Sequence, residues 1–185
     1  MKTRMFAWGT HPDVAKPRNW DGMWHVSDLL PTIVEGLAGV SVEADGLDGV
    51  NQWPAIAAGE ASQRTEILHN IDPISRTAAL RVGSMKLLLG AIGYNDWAVP
   101  SGWTPPSSEQ PPSPGPLPDD GFVGLFNITA DPREFHNLAA GMPDVVAKLR
   151  SRLQAYNATA VPCRFPQPDP AADPSKHGGA WGPWH

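Results

Sequence analysis

The chain has 185 residues, a hydrophobic fraction of 41% and a formal net charge of −5. These values describe globular sequence, enough for one ordinary domain or a piece of a larger one, and exclude a disordered chain. No basic block is present, so no nucleic-acid partner is expected. The single cysteine, Cys163, excludes an internal disulfide framework.

Residues 1–22 lack periodicity and read as an irregular arm. The start is positively charged, but no apolar run follows it, so neither a signal peptide nor a membrane span is expected. A helix is predicted over 27–38. Ser27 is the expected cap, Asp28 suits the first turn, and Pro31 falls early enough to be tolerated. Leu29, Leu30, Ile33, Val34 and Leu37 form one apolar stripe, and Gly39 stops the helix. A short helical turn is expected near Ile56–Gly59. The apolar run in Arg64–Asp72 predicts a buried strand ending in polar residues.

A tight hairpin follows. Ala78–Val82 pairs with Met85–Leu89 around Gly83-Ser84, and glycine at the first turn position suits a type II′ turn. Met85, Leu87 and Leu89 alternate onto the expected core face. The proline-dense stretch 100–118 can continue neither sheet nor helix and reads as an exposed loop. Phe122–Ile128 is another strand, Asp131-Pro-Arg-Glu a turn, and Pro143 opens a helix to about residue 157. The tail after Pro162 is rich in proline, glycine and tryptophan and is expected to wrap the surface. Trp53, Trp103, Trp181 and Trp184, each beside a proline or glycine, are expected to pin loops onto the core.

Several of these segments, in this order, resemble the C-terminal end of a sulfatase. They are His25-Val-Ser-Asp-Leu-Leu-Pro-Thr-Ile, Leu47-Asp-Gly-Val, Arg64-Thr-Glu-Ile-Leu-His-Asn-Ile-Asp-Pro, Ala79-Leu-Arg-Val-Gly-Ser-Met-Lys-Leu-Leu, Leu125-Phe-Asn-Ile-Thr-Ala-Asp-Pro-Arg-Glu, and Trp181-Gly-Pro-Trp. The likeness is to the arylsulfatase B group, including arylsulfatases I and J, and covers about residues 24–185. It implies a partial alkaline-phosphatase-like α/β fold. Residues 1–22 are then the arm and 23–76 a terminal piece of the α/β core. Residues 77–185 form a small antiparallel-sheet subdomain packed by one helix, over 143–157.

The resemblance also says what the chemistry needs. Sulfatases attack sulfur with a formylglycine made from the Cys or Ser of a C/S-x-P-x-R motif, and calcium held by Asp and Asn oxygens polarises the sulfate. No C/S-x-P-x-R occurs here. Cys163-Arg-Phe-Pro has its proline at the wrong offset and reads as an ordinary tail cysteine. Asp119-Asp120-Gly121 imitates a paired-aspartate metal motif but follows a proline-rich loop and reads as a solvated turn. No catalytic or metal residue is therefore assigned. Calcium belongs to the complete enzyme, and this chain is expected to bind none and to be inactive alone.

One residue stands at a possible substrate rim. His69 follows the apolar pair Ile67-Leu68, although a histidine satisfied by local backbone is the plainer reading. Asn127-Ile-Thr and Asn157-Ala-Thr are glycosylation sequons. The resemblance implies a sulfated small molecule or glycosaminoglycan as partner of the complete enzyme, and a lysosomal or secreted location. The alternative is a non-catalytic structural or interaction module that binds a sulfated glycan or a protein partner.

Overall fold

The computed structural model describes residues 5–9, 11–13, 17, 19–42, 46–90, 121–162 and 169–181. The proline-dense loop, Asp119, Asp120, Cys163, Trp103 and Trp184 lie outside them. Four strands, β1 (Glu66–Asp72), β2 (Thr77–Val82), β3 (Met85–Leu89) and β4 (Val123–Asn127), form one antiparallel sheet in the order β1-β2-β3-β4. The hairpin pairs Val82 with Met85, leaving Gly83-Ser84 as its two-residue turn. Gly83 has φ +56 and Ser84 does not share the left-handed region, which is the type II′ pattern.

Both faces of this sheet carry a core. Leu87 and Leu125 are fully buried against Leu149 of the helix α3 (Pro143–Ala158), with Val146 beside them. On the opposite face Ala79, Leu88, Phe122 and Phe126 make a second cluster. The expected core face of β3 is therefore only half of the result: Leu88, on the other face, is 7% exposed. β1 is less buried than its apolar run predicts. It is an edge strand, and only Ile67 is buried.

β4, the other edge, is closed by a side chain. Asn137 Oδ1 accepts from Leu125 N at 3.0 Å, and Asn137 Nδ2 donates to Val123 O at 2.9 Å. Leu138 N donates to Leu125 O at 2.8 Å. The segment after the turn thus occupies hydrogen-bonding groups that an added strand would use.

The helix predicted over 27–38 is an irregular succession. A 3₁₀ turn (Val26–Asp28) leads into α1 (Leu29–Pro31) and a π segment (Thr32–Leu37). Its cap is His25 rather than Ser27: the imidazole accepts from Ser27 N, and the Asp28 carboxylate accepts from His25 N at 2.9 Å. Gly39 follows the end with φ +66. The segment turns its polar side inward. Asp28 and Thr32 are buried, whereas Leu29, Leu30, Ile33 and Leu37 are exposed. The short turn near Ile56 is α2 (Trp53–Ala58), with Trp53 buried. Trp181 is 77% exposed and pins nothing, because no described apolar surface closes over it.

Candidate functional site

Strand alternation places Arg81 and Lys86 on the face away from α3. Ile67 pairs with Arg81, Arg81 with Lys86, and Lys86 with Phe126, one row across four strands. Leu80 and Leu87 point to the helix side, so Arg81 and Lys86 point away from it. Two cations directly opposite each other repel. Among the described residues only Lys86 has an acidic partner: its Nζ lies 2.7 Å from Glu134 Oε1, and both side chains are largely buried. Glu134 sits at φ +60, a conformation that a non-glycine residue rarely adopts, and the Asp131-Pro-Arg-Glu turn holds it there.

His69 lies at the margin of this row. The pairing slips between Leu68 and Asn70, so His69 is the extra residue of a β-bulge opposite Ala79. Solvent reaches the ring. Even so, crowding by protein, then the charge of Lys86 and of Arg81, hold the imidazole below its ordinary pKa, with Glu134 opposing. His69 is thus disposed to stay neutral near pH 7. Arg81 and the Lys86–Glu134 pair were not singled out by the sequence. The signal was available, since period-two alternation and the two-residue turn place Arg81 and Lys86 side by side.

Other polar residues hold structure. Asp28, fully buried, accepts from Val50 N at 2.9 Å and from Arg64 Nε at 2.9 Å. Burial raises its pKa, but the guanidinium of Arg64 and the His25 and Val50 amides outweigh burial and hold it low. Thr32 Oγ1 accepts from Gln52 N at 2.9 Å. Gly49 passes so close to Ser27 that a Cβ would stand 2.2 Å from its carbonyl oxygen. Glu66 is bound by Arg152 of α3 and by the Tyr156 hydroxyl at 2.6 Å, and the Arg152 guanidinium above all holds its pKa low. Asp131 accepts from His136 N at 2.7 Å.

Asp28, Glu66 and Glu134 each face a cation from another segment, Asp131 accepts from an amide of its own turn, and among the described residues no three His, Cys, Asp or Glu side chains converge. The described residues do not fit a calcium site. The two sequons differ. Asn127 Oδ1 accepts from Thr129 N and Ala130 N, each at 3.2 Å, and shapes the turn after β4. Asn157 is exposed near the end of α3. Among the described residues no helix is long and apolar enough to cross a membrane.

No family model matches the chain. It is similar to arylsulfatase J of Mus musculus, 38% identical over 180 residues, taking in 87% of this chain and 30% of that protein. The chain therefore spans about a third of the length of the curated relative it matches. Among solved structures, a putative sulfatase from Bacteroides thetaiotaomicron has a TM-score of 0.42 at 21% identity, covering 70% of this chain and 23% of that one. A protein solved with its substrate D-glucosamine-2-N,6-O-disulfate has a TM-score of 0.42 at 18% identity, covering 71% and 24%.

Proposed function

The chain belongs to the sulfatases, and from that premise we propose that it is the C-terminal part of an arylsulfatase-type sulfuric ester hydrolase that does not hydrolyse sulfate esters by itself. The observation that carries this reading is the use made of the matched segments. Their acidic residues hold turns, edges and the α3 packing, and the chain contains no C/S-x-P-x-R nucleophile motif. Sulfate attack and calcium binding then fall to a longer polypeptide, whose substrate would be a sulfated small molecule or glycosaminoglycan. Within it His69, held neutral at the bulge of the edge strand β1, would meet substrate as a hydrogen-bonding group rather than a charge. Incubation of the purified chain with calcium and a chromogenic aryl sulfate tests the reading. Release of the phenol at the rate of a protein-free blank is expected, and turnover above it overturns the proposal.

A second reading rests on the exposed Leu29, Leu30, Ile33 and Leu37. A row of this kind marks a surface meant to be covered. It suits a missing catalytic core, and equally a non-catalytic module with a protein or sulfated-glycan partner. A monomer that melts cooperatively supports the module, and aggregation supports the fragment. A lysosomal or secreted route accords with the sequons, of which Asn157 is the more exposed, while Asn127 uses its Oδ1 in the turn after β4.

A further inference from the structure

The arm ahead of the sulfatase-like segments differs from the rest of the chain in charge. Residues 1–20 hold Lys2, Arg4, Lys16 and Arg18 against Asp13 alone, a charge of +3. The whole chain carries −5, so residues 21–185 carry −8. A split of this kind points to a negatively charged surface as the partner of the basic part. The arm's one acid is engaged locally. Asp13 N donates to His11 Nδ1 at 3.3 Å, and the Asp13 carboxylate lies 3.7 Å from the same nitrogen.

The arm is tied to the body at two places. The His11 ring meets the buried Trp53 edge-on, with ring centres 5.2 Å apart. Trp20 Nε1 donates to Glu60 O at 2.6 Å, and the Trp20 ring stands edge-on to Trp24. Upstream of these anchors the aromatic side chains turn to solvent. Phe6 is 91% exposed and Trp8 90%, the two most exposed large apolar side chains among the described residues, and Met5 is exposed beside them. Lys2 and Arg4 precede them directly in sequence, so cations and large apolar groups share the stretch 2–8.

This mixture selects among negatively charged surfaces. An acidic protein face would answer the cations and leave the rings in water. The boundary of an anionic bilayer answers both, because aromatic rings settle at headgroup depth while Lys and Arg meet the phosphates. The same lipids repel the acidic remainder of the chain, which confines the contact to the arm.

We propose that residues 2–8 are a docking surface for an anionic lipid bilayer. Lys2 and Arg4 engage the headgroups, Met5, Phe6 and Trp8 enter the interface, and the contacts of His11 and Trp20 hold the arm to the body. The contact is peripheral. It needs no spanning helix and no catalysis by this chain, and so goes beyond the hydrolase reading.

The test is co-sedimentation of the intact, pre-cleared chain with vesicles of phosphatidylcholine, with and without about 30% phosphatidylserine. Binding to the anionic vesicles is expected to exceed that to the neutral ones at least about fivefold, and to fall away at about 0.5 M salt. Phe6→Ser with Trp8→Ser is expected to weaken it about tenfold or more. Lys2→Glu with Arg4→Glu is expected to abolish the preference for phosphatidylserine. Leu30→Gln with Ile33→Gln, on the exposed helical stripe, is expected to leave binding unchanged. Absence of binding, equal binding to both vesicles, or full binding in either arm variant overturns the proposal. Loss of binding in the stripe variant overturns it too, by moving the lipid contact to the stripe. Self-association that the Phe6/Trp8 variant abolishes, without vesicle binding, overturns it in favour of a second copy of the chain. If the Phe6/Trp8 variant alters the thermal melt, the charge-reversed variant decides alone.

Discussion

Residues 26–37 and the sheet with α3 are built on opposite plans. In the sheet the interior is Leu80, Leu87, Leu125 and Phe126, all fully buried, and ion pairs such as Glu66–Arg152 clip the outside. In the helical segment the interior is Asp28 and Thr32, with Gln52 beside them, and the outside is Leu29, Leu30, Ile33 and Leu37. The sheet closes on itself. The helical segment is held to the neighbouring chain by hydrogen bonds and offers its apolar side outward. A hydrophobic stripe identifies which residues want cover, and says nothing about whether the cover belongs to the same chain.

The contrast can be broken first at Asp28. Asp28→Ala leaves Arg64 charged and the Val50 and His25 amides unmet, an expected loss of about 3–5 kcal/mol by chemical denaturation. A loss under about 1 kcal/mol would mean that the polar interior does not hold this region. The same carboxylate gives the region a pH signature. Asp28 and Glu66 are held low in the folded chain, so their contribution is present above the unfolded value near pH 4 and is lost as pH falls through the folded values. Asp28→Ala should flatten that acid limb.

A smaller effect is expected at the edge of the sheet. Asn137→Ala removes the clip on β4 and costs about 1–3 kcal/mol. Amide exchange of Leu125 should accelerate in that variant, and unchanged protection would show that the edge is closed by other means. Smallest of all is the outer stripe. Leu30→Gln with Ile33→Gln should shift stability within about 0.5 kcal/mol each, while lowering self-association measured by light scattering. A large loss of stability would place those side chains in a core and erase the contrast.

The hairpin was legible because alternation, glycine at the turn and a two-residue loop all agree, and the register of Val82 with Met85 follows from them. The closing helix was legible from Pro143 and the Leu149/Leu153 spacing. The first helix was legible in place and stripe, but its cap was not. Ser27 is the better cap by residue type, yet His25 takes the role because Asp28 reaches back to its amide and is itself fixed by Arg64, 36 residues away. The exposure of β1 was equally hidden, since an apolar run does not say whether it lies at an edge. At the candidate site His69 could be seen as a polar residue closing an apolar run. The pairing of Lys86 with Glu134 spans 48 positions and depends on a left-handed glutamate in the turn, which no local pattern announces.

The bulge at His69 has a bearing on how such a chain could vary. Leu68 faces Leu80, and Asn70 faces Ala79, so the ladder on either side keeps the phase it would have if His69 were absent. Deleting that one position would turn no neighbour to the wrong face, and Glu66 would still meet Arg152. The imidazole occupies a tolerated insertion, a place where chemistry can be added, exchanged or withdrawn without renegotiating the architecture around it.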